Sequence, residues 1–285
     1  MTFESPAIQQ LTPSQPAVSS GQPRARGAVD LDVRQSHGAT RIANLRQSGC
    51  LKCVFPRVFR PQAEAVLVNT SGGITGGDLL CVRARLAPQT ALTVTTQAAE
   101  RIYRTSDGTT GRIDTRITVE RNAQLFWLPQ ETILFDEARL ERRLDIALAA
   151  GATLLLVETL VLGRAAMGEQ VRALHLEDRI RISRDGAPLY LDGVRLSGDA
   201  TAQMARAATG EGAGVVSTLV YAALDAATQL AHIRAMLPDS AGASLRAGDL
   251  LVLRALAPDS LAMRRFLIPV LDRLSGNLLP TVWRL

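Results

Sequence analysis

The sequence predicts a mainly β protein: an elongated, β-helix- or solenoid-like stack of β layers, closed by a small α+β C-terminal part with about two helices. Three observations predict it. Period-two alternation dominates from about residue 28 to 197, as where Ile113, Thr115, Ile117 and Val119 interleave with Asp114, Arg116, Thr118 and Glu120. A strand, tight turn, strand pattern recurs as "LAPQTALTVTTQ" (86–97), "VERNAQLFWLPQ" (119–130) and "LAAGATLLLVET" (148–159), with starts 33 and 29 residues apart. Such spacing fits stacked layers around a shared core, while three degenerate copies also fit ordinary hairpins. Finally, helix-period apolar patterns appear only in the last third of the chain.

In chain order, residues 1–27 are rich in Pro, Gln and Ser without periodicity and read as a disordered tail. A single domain is expected over 28–285, with a β body to about residue 200 and an α+β end piece over 201–285. Val29, Leu31 and Val33 alternate with polar residues before a turn at His37-Gly38 and a short second strand. "EAVLVN" and "LLCVRARLA" read as strands around a glycine-rich loop. Ile180 and Ile182, then Leu189, Leu191, Val194 and Leu196, flank Asp185-Gly186 as a hairpin with a longer loop. In the end piece, "GVVSTLVYAA" and "DLLVLRALA" read as strands and "DAATQLAHIRAML" as a helix stopped by Pro238. A last helix sets Phe266, Leu267, Val270, Leu271 and Leu274 on one face, with Asp259 as N-cap, Gly276 as stop and a kink expected at Pro269.

Composition narrows the function. The net charge is +5 with a pI near 9.7, yet 31 of the 32 basic residues are Arg, scattered among acids, and aromatics make up only 4%. Nucleic-acid binding needs a clustered basic face and stacking side chains, so it is not expected. No apolar run reaches the roughly 18 residues of a membrane span, and the first residues lack a basic start and apolar block. Three cysteines do not make a disulfide framework. A cytoplasmic protein is expected.

"NTSGGITGGD" (69–78) is the densest glycine stretch. A phosphate loop would place Lys after the last glycine, and a dinucleotide fingerprint would space its glycines as G-x-G-x-x-G. Here Asp78 follows two adjacent pairs, so phosphate fits poorly. What remains is a difficult turn capped by Asp78, or an acid turned toward a cation. Cys50 and Cys53 form a CxxC pair, but the extended "VFPRVFRP" follows where a redox motif would open a helix. A zinc site would need a second ligand pair, and only Cys81 and three scattered histidines are left. Ser197 and Ser217 lack a nucleophile elbow. Glu131, beside Trp127 and Leu128, reads as a strand end or a partner-contact edge.

"NTSGGITGGDLL", "TTQAAERIYR", "WLPQETILFD", "ETLVLGRAAMGE" and the closing "LLPTVWRL" occur in that order from roughly Ala25 to the end. Together they resemble the urease accessory protein family UreD, called UreH in some organisms. The resemblance implies a mostly β, helically wound fold without catalysis of its own. It further implies binding to UreF, through it to the GTPase UreG, and docking on urease apoprotein to deliver nickel. Nickel would be transient cargo crossing an internal water-filled tunnel. By motif, the resemblance points to Asp78, Glu100, Glu158 and Asp192 as tunnel acids. Relatives often carry a small hydroxyl residue at the Glu100 position.

The chemistry of that proposal stands by itself. A conduit must attract an ion and release it, which spaced carboxylates do better than a Cys/His cage. Glu158 lies within "LLLVETLVL", where burial is costly without water or a partner. It therefore faces a wet cavity or pairs with an arginine such as Arg101 or Arg164. The alternatives are a metal- or thiol-dependent enzyme using Cys50, Cys53 and Cys81, and an interaction module with no metal role.

Overall fold

A computed structural model describes residues 23–57, 61–246 and 248–284. The expected tail lies, up to residue 22, outside the described residues; among the described residues the first strand starts at Arg26. A hairpin of β1 (Arg26–Ser36) and β2 (Ala39–Gly49) opens the chain, followed by short β3 (Leu51–Val54). The chain then winds between two facing sheets. It passes through β4 (Ala63–Asn69), β5 (Leu79–Leu86), β6 (Ala91–Thr96) and β7 (Glu100–Ile102). Next come β8 (Gly111–Val119), β9 (Gln124–Leu128), β10 (Thr132–Leu134) and β11 (Arg139–Leu148). β12 (Thr153–Leu162), β13 (Leu174–Arg184) and β14 (Ala187–Gly198) complete the winding.

One sheet runs β14-β13-β11-β8-β5-β1-β2; in the other, β12-β9-β6-β4-β3 are extended beyond β12 by β15 (Val215–Ala222), then β17 (Leu250–Ala257), then β16 (Ala241–Arg246), with β7 and β10 forming a narrow strip beside β12. Successive turns of the winding pair in parallel: β5 with β8 with β11 with β13, and β4 with β6 with β9 with β12. The fold is therefore the stacked solenoid that the repeats predict. Leu86, Val119 and Leu148, the first residue of each repeat copy, are register partners, as are Leu92, Leu125 and Leu154. The turns inside the copies are not hairpins, because each one carries the chain from one sheet to the other. Each needs a left-handed residue at the same place, supplied by Gln89 (φ 61°), Asn122 (φ 56°) and Gly151 (φ 71°).

The true hairpins are tighter than expected. His37-Gly38 and Asp185-Gly186 are two-residue connections with positive φ at both positions, which suits the strand twist. The longer Asp185-Gly186 loop expected from sequence is absent because a bulge at Ile182/Ser183 absorbs the extra residue. β2 is also no short strand, since it spans eleven residues, as β1 does.

Among the described residues the end piece has three α-helices where about two were expected: α1 (Ala200–Met204), α2 (Ala226–Arg234) and α3 (Ser260–Ser275). Its strands β15 (Val215–Ala222), β16 (Ala241–Arg246) and β17 (Leu250–Ala257) extend the second sheet antiparallel. Asp259 caps α3 through the Ala262 amide and Gly276 ends it in a left-handed conformation, while the helix runs on through Pro269. Met263, Leu267, Val270, Leu271 and Leu274 are buried on its inner face, and Phe266 is partly buried.

Two cores result. Between the sheets lie Leu154, Leu156 and Leu160 of β12 among other apolar side chains. Leu155, Val157 and Val161 of the same strand face the other way, into a core closed by α3 and Trp283. Burial on both faces explains why β12 reads as one unbroken apolar run.

Candidate functional site

Inward positions along the first sheet form a row of register partners, Leu80, Ile113, Arg142 and Asp178. The first two are apolar. At the next two turns the row becomes charged, directly opposite Glu158 of β12. Burying a leucine there would contribute about 1.5–3 kcal/mol, so the charged pair forgoes stability that the fold takes elsewhere in the row.

Arg142, Glu158 and Asp178 are 7%, 7% and 5% exposed. The guanidinium sits between the two carboxylates. Its Nη1 lies 2.6 Å from Glu158 Oε2, and its Nε and Nη2 donate to Asp178 at 2.9 and 2.5 Å. Nη1 also donates to Thr132 Oγ1 at 3.0 Å, and Trp127 Nε1 donates to Glu158 Oε1 at 2.8 Å. One cation thus serves two acids. Burial pushes the Glu158 carboxyl up, opposed by Arg142 and reinforced by the neighbouring Asp178. Burial pulls the Arg142 guanidinium down, but the carboxylates of Asp178 and Glu158 outweigh it and hold the cation charged.

Cavities lie on both sides of this cluster. The first, of about 200 Å³, is lined by Asn69, Glu100, Trp127, Thr132, Arg142 and Glu158, and its rim includes the exposed Gln97 and Ala98. The second, of about 10 Å³, lies between Glu158, Asp178 and Asp192. A third, of about 350 Å³, lies beyond Asp192 and includes the exposed Leu191 and Arg254. The outer two have room for a cation with bound waters, whereas the middle one holds roughly one water molecule.

Glu100, on β7, accepts from Asn69 Nδ2 at 3.2 Å on both oxygens. Burial pushes its carboxyl up to about 7, against the Asn69 hydrogen bond, so it carries a proton part of the time near neutrality. Asp192 pairs with Arg254 and accepts from the Gly193 amide at 2.8 Å. Next to it, burial and the Asp192 carboxylate raise the Tyr190 phenol to about 12.

Asp78 is spent differently. Its two oxygens accept from the Ala25 and Thr75 amides at 2.7 and 2.8 Å, bracing the glycine loop against the start of β1. The loop is crowded: a Cβ on Gly73 would lie 2.3 Å from Tyr103 Cε2, and one on Gly76 would lie 2.3 Å from the Thr109 carbonyl oxygen. It is the difficult turn of the two readings. Its link to the cavity is Asn69, which also donates to the Gly73 carbonyl at 3.2 Å.

Three of the four sequence-predicted acids, Glu100, Glu158 and Asp192, therefore line the succession of cavities. Glu158 both faces a cavity and pairs with an arginine, and the arginine is Arg142. Arg101 is exposed on β7, and Arg164 pairs with Glu169 while lying 4.6 Å over the Phe135 ring. The cavities do not form one open channel, since the one beside the triad is only about 10 Å³. Arg142 and Asp178 were missed, although period two put them in view. Arg142 falls in phase with Leu140, Leu144 and Ile146, and Asp178 with Leu176, Ile180 and Ile182.

Cys50 and Cys53 both pack on the core between the sheets, and Cys81 faces away from it. Cys53 faces the core between the sheets, with its thiol raised to about 12 by burial. Cys81 alternates with the buried Leu80 and Val82, so it lies on the outer face, and its thiol is raised by burial and then by Asp114. Among the described residues no group of three or more His, Cys, Asp or Glu side chains is placed to hold a metal ion, and no helix is long and apolar enough to cross a membrane.

Glu131 is no partner edge. It is 5% exposed and binds Arg264 of α3 at 2.6 and 2.8 Å. Arg264 also bonds Gln130 and lies over the Trp283 ring, whose Nε1 donates to the Leu128 carbonyl at 2.9 Å.

Fold and site together define a class: a two-sheet β-solenoid with carboxylates strung through its interior. Residues 25–284 match the family model described as "UreD urease accessory protein". The chain belongs to the UreD urease accessory protein family. It is 48% identical to the urease accessory protein UreD of Ruegeria pomeroyi over 255 residues, covering 90% of this chain and 99% of that one. Against the protein of the same name from Roseobacter denitrificans, identity is 44% over 264 residues, 93% of this chain and 96% of that one. That family supports a role in urease maturation.

Proposed function

We propose that this chain is a non-catalytic, cytoplasmic scaffold that conducts nickel to urease apoprotein. On this reading it bridges the apoprotein to UreF and, through UreF, to the GTPase UreG, which hydrolyses the nucleotide. The observation that carries the reading is the line of Glu100, Glu158 and Asp192 through consecutive cavities. Each acid sits beside a cavity and not inside a ligand cage, which suits an ion that must leave again. Ni²⁺ takes oxygen ligands as well as imidazole, so carboxylate and water can carry it, and thiolates would hold it too firmly. Asp78, bound to backbone amides, serves this function by holding the glycine loop and thus Asn69 and Glu100.

The test is Glu158→Gln together with Asp192→Asn in a urease-expressing strain. Urease should assemble and co-purify with the variant and UreF, yet contain several-fold less nickel per active site by elemental analysis. Normal nickel content would end the conduit reading.

A further inference from the structure

We infer that Arg142 is the gate of this passage, a tethered cation that occupies the place between Glu158 and Asp178 through which a divalent ion must go. This rests on the conduit reading and adds to it the part that opens and closes. The argument begins from position. Arg142 lines the large cavity, its two carboxylate partners line the small one, and its guanidinium lies between them. The boundary between the large and the small cavity is therefore a charged side chain, while the small cavity itself is walled by Leu160, Ile180, Val194 and Val216 beside the two acids.

The side chain is also suited to leave. Its anchor is β11, but all four of its named contacts are to side chains of other strands: Glu158, Asp178 and Thr132. A rotamer change swings the guanidinium toward the large cavity without breaking a backbone ladder. The charges favour exchange. With both carboxylates ionised the cluster is one charge short of neutrality, and a divalent cation in place of the guanidinium, which would also favour the ionised form of Glu158, would balance it. Mutual exclusion follows: Arg142 and a divalent ion compete for the same oxygens. A resident competitor keeps the interior closed and weakens the hold on each ion that passes.

The experiment uses the purified full-length chain with Ni²⁺ alone, measured by equilibrium dialysis at neutral pH. Arg142→Met should bind one Ni²⁺ roughly tenfold or more tighter than the parent, a change of about 1.4 kcal/mol or more. Adding Glu158→Gln should erase the gain. If Arg142→Met does not fold without metal, Arg142→Lys decides, since it keeps a charge but cannot bridge both carboxylates. A roughly threefold gain is expected there, by partial loss of the fork geometry, and parental affinity in the variant that folds would overturn the gate. The conduit reading fails separately, on nickel-replete urease from the Glu158→Gln, Asp192→Asn strain, whatever the Arg142 variants bind.

Discussion

Two arginines of this molecule, Arg142 buried and Arg264 half-buried, make similar bonds for different ends. Arg264 meets one carboxylate, Glu131, in a bidentate pair, with Gln130 and the Trp283 ring completing its surroundings. Charges there balance, and the contact fastens α3 to the β9–β10 corner. Arg142 meets two carboxylates, with cavities beyond them. The balanced pair is a fastener. The unbalanced one sits where packing and electrostatics both argue for apolar residues, which is how a site differs from a strut.

The largest effect that separates them is on folding. Arg142→Met should lower the unfolding free energy by about 3–5 kcal/mol, because it strands two buried carboxylates. Urea denaturation without metal measures it, and a loss under about 1 kcal/mol would make the two arginines equivalent.

Glu100 extends the comparison to an acid held by an amide, Asn69, with only a weaker Coulombic pull from the adjacent Arg101. Its carboxyl is raised from 4.5 to about 7. Between those values the folded chain binds more protons than the unfolded one, so Glu100 lowers stability as pH rises through that window and contributes no further slope above it. The decline should amount to roughly 1–3 kcal/mol and vanish in Glu100→Gln. Denaturation midpoints at pH 5, 6, 7 and 8 read it, and an unchanged slope in the variant would refute the assignment.

Arg264→Met should cost less, about 1–2 kcal/mol, since the side chain is 24% exposed and water screens part of the pair. Its nickel affinity should equal the parent's by the same dialysis. A gain there would erase the distinction between strut and site.

Cys81→Ser marks the floor. On the outer sheet face it should change stability by no more than about 0.5 kcal/mol and leave urease nickel content intact. Loss of nickel would revive the thiol reading.

What the sequence disclosed follows from the same physics. The winding was legible because parallel stacking forces equivalent residues into equal spacing, so offsets of 33 and 29 residues are also the register offsets of Leu86, Val119 and Leu148. β16 was missed since "AGASLR" has almost no apolar signal, and its pairing with β17 makes the strand. α1 is five residues long, too short for a helical period. Glu158 stood out as a charge inside an apolar run. Arg142 and Asp178 hid in ordinary-looking charged strands, where only their phase distinguishes a lumen position from a solvated one.

β12 is a party wall. Its even-numbered Leu154, Leu156 and Leu160 pack into the core between the sheets, with Glu158 on the same face beside the cavities, and its odd-numbered Leu155, Val157 and Val161 press against the layer that α3 closes. Adjacent residues of one strand share a rigid peptide plane and cannot shift apart. A protein that grips the C-terminal helix and displaces this wall by a fraction of an ångström therefore moves the Glu158 carboxylate with it, so the outside of the molecule has a lever on its interior.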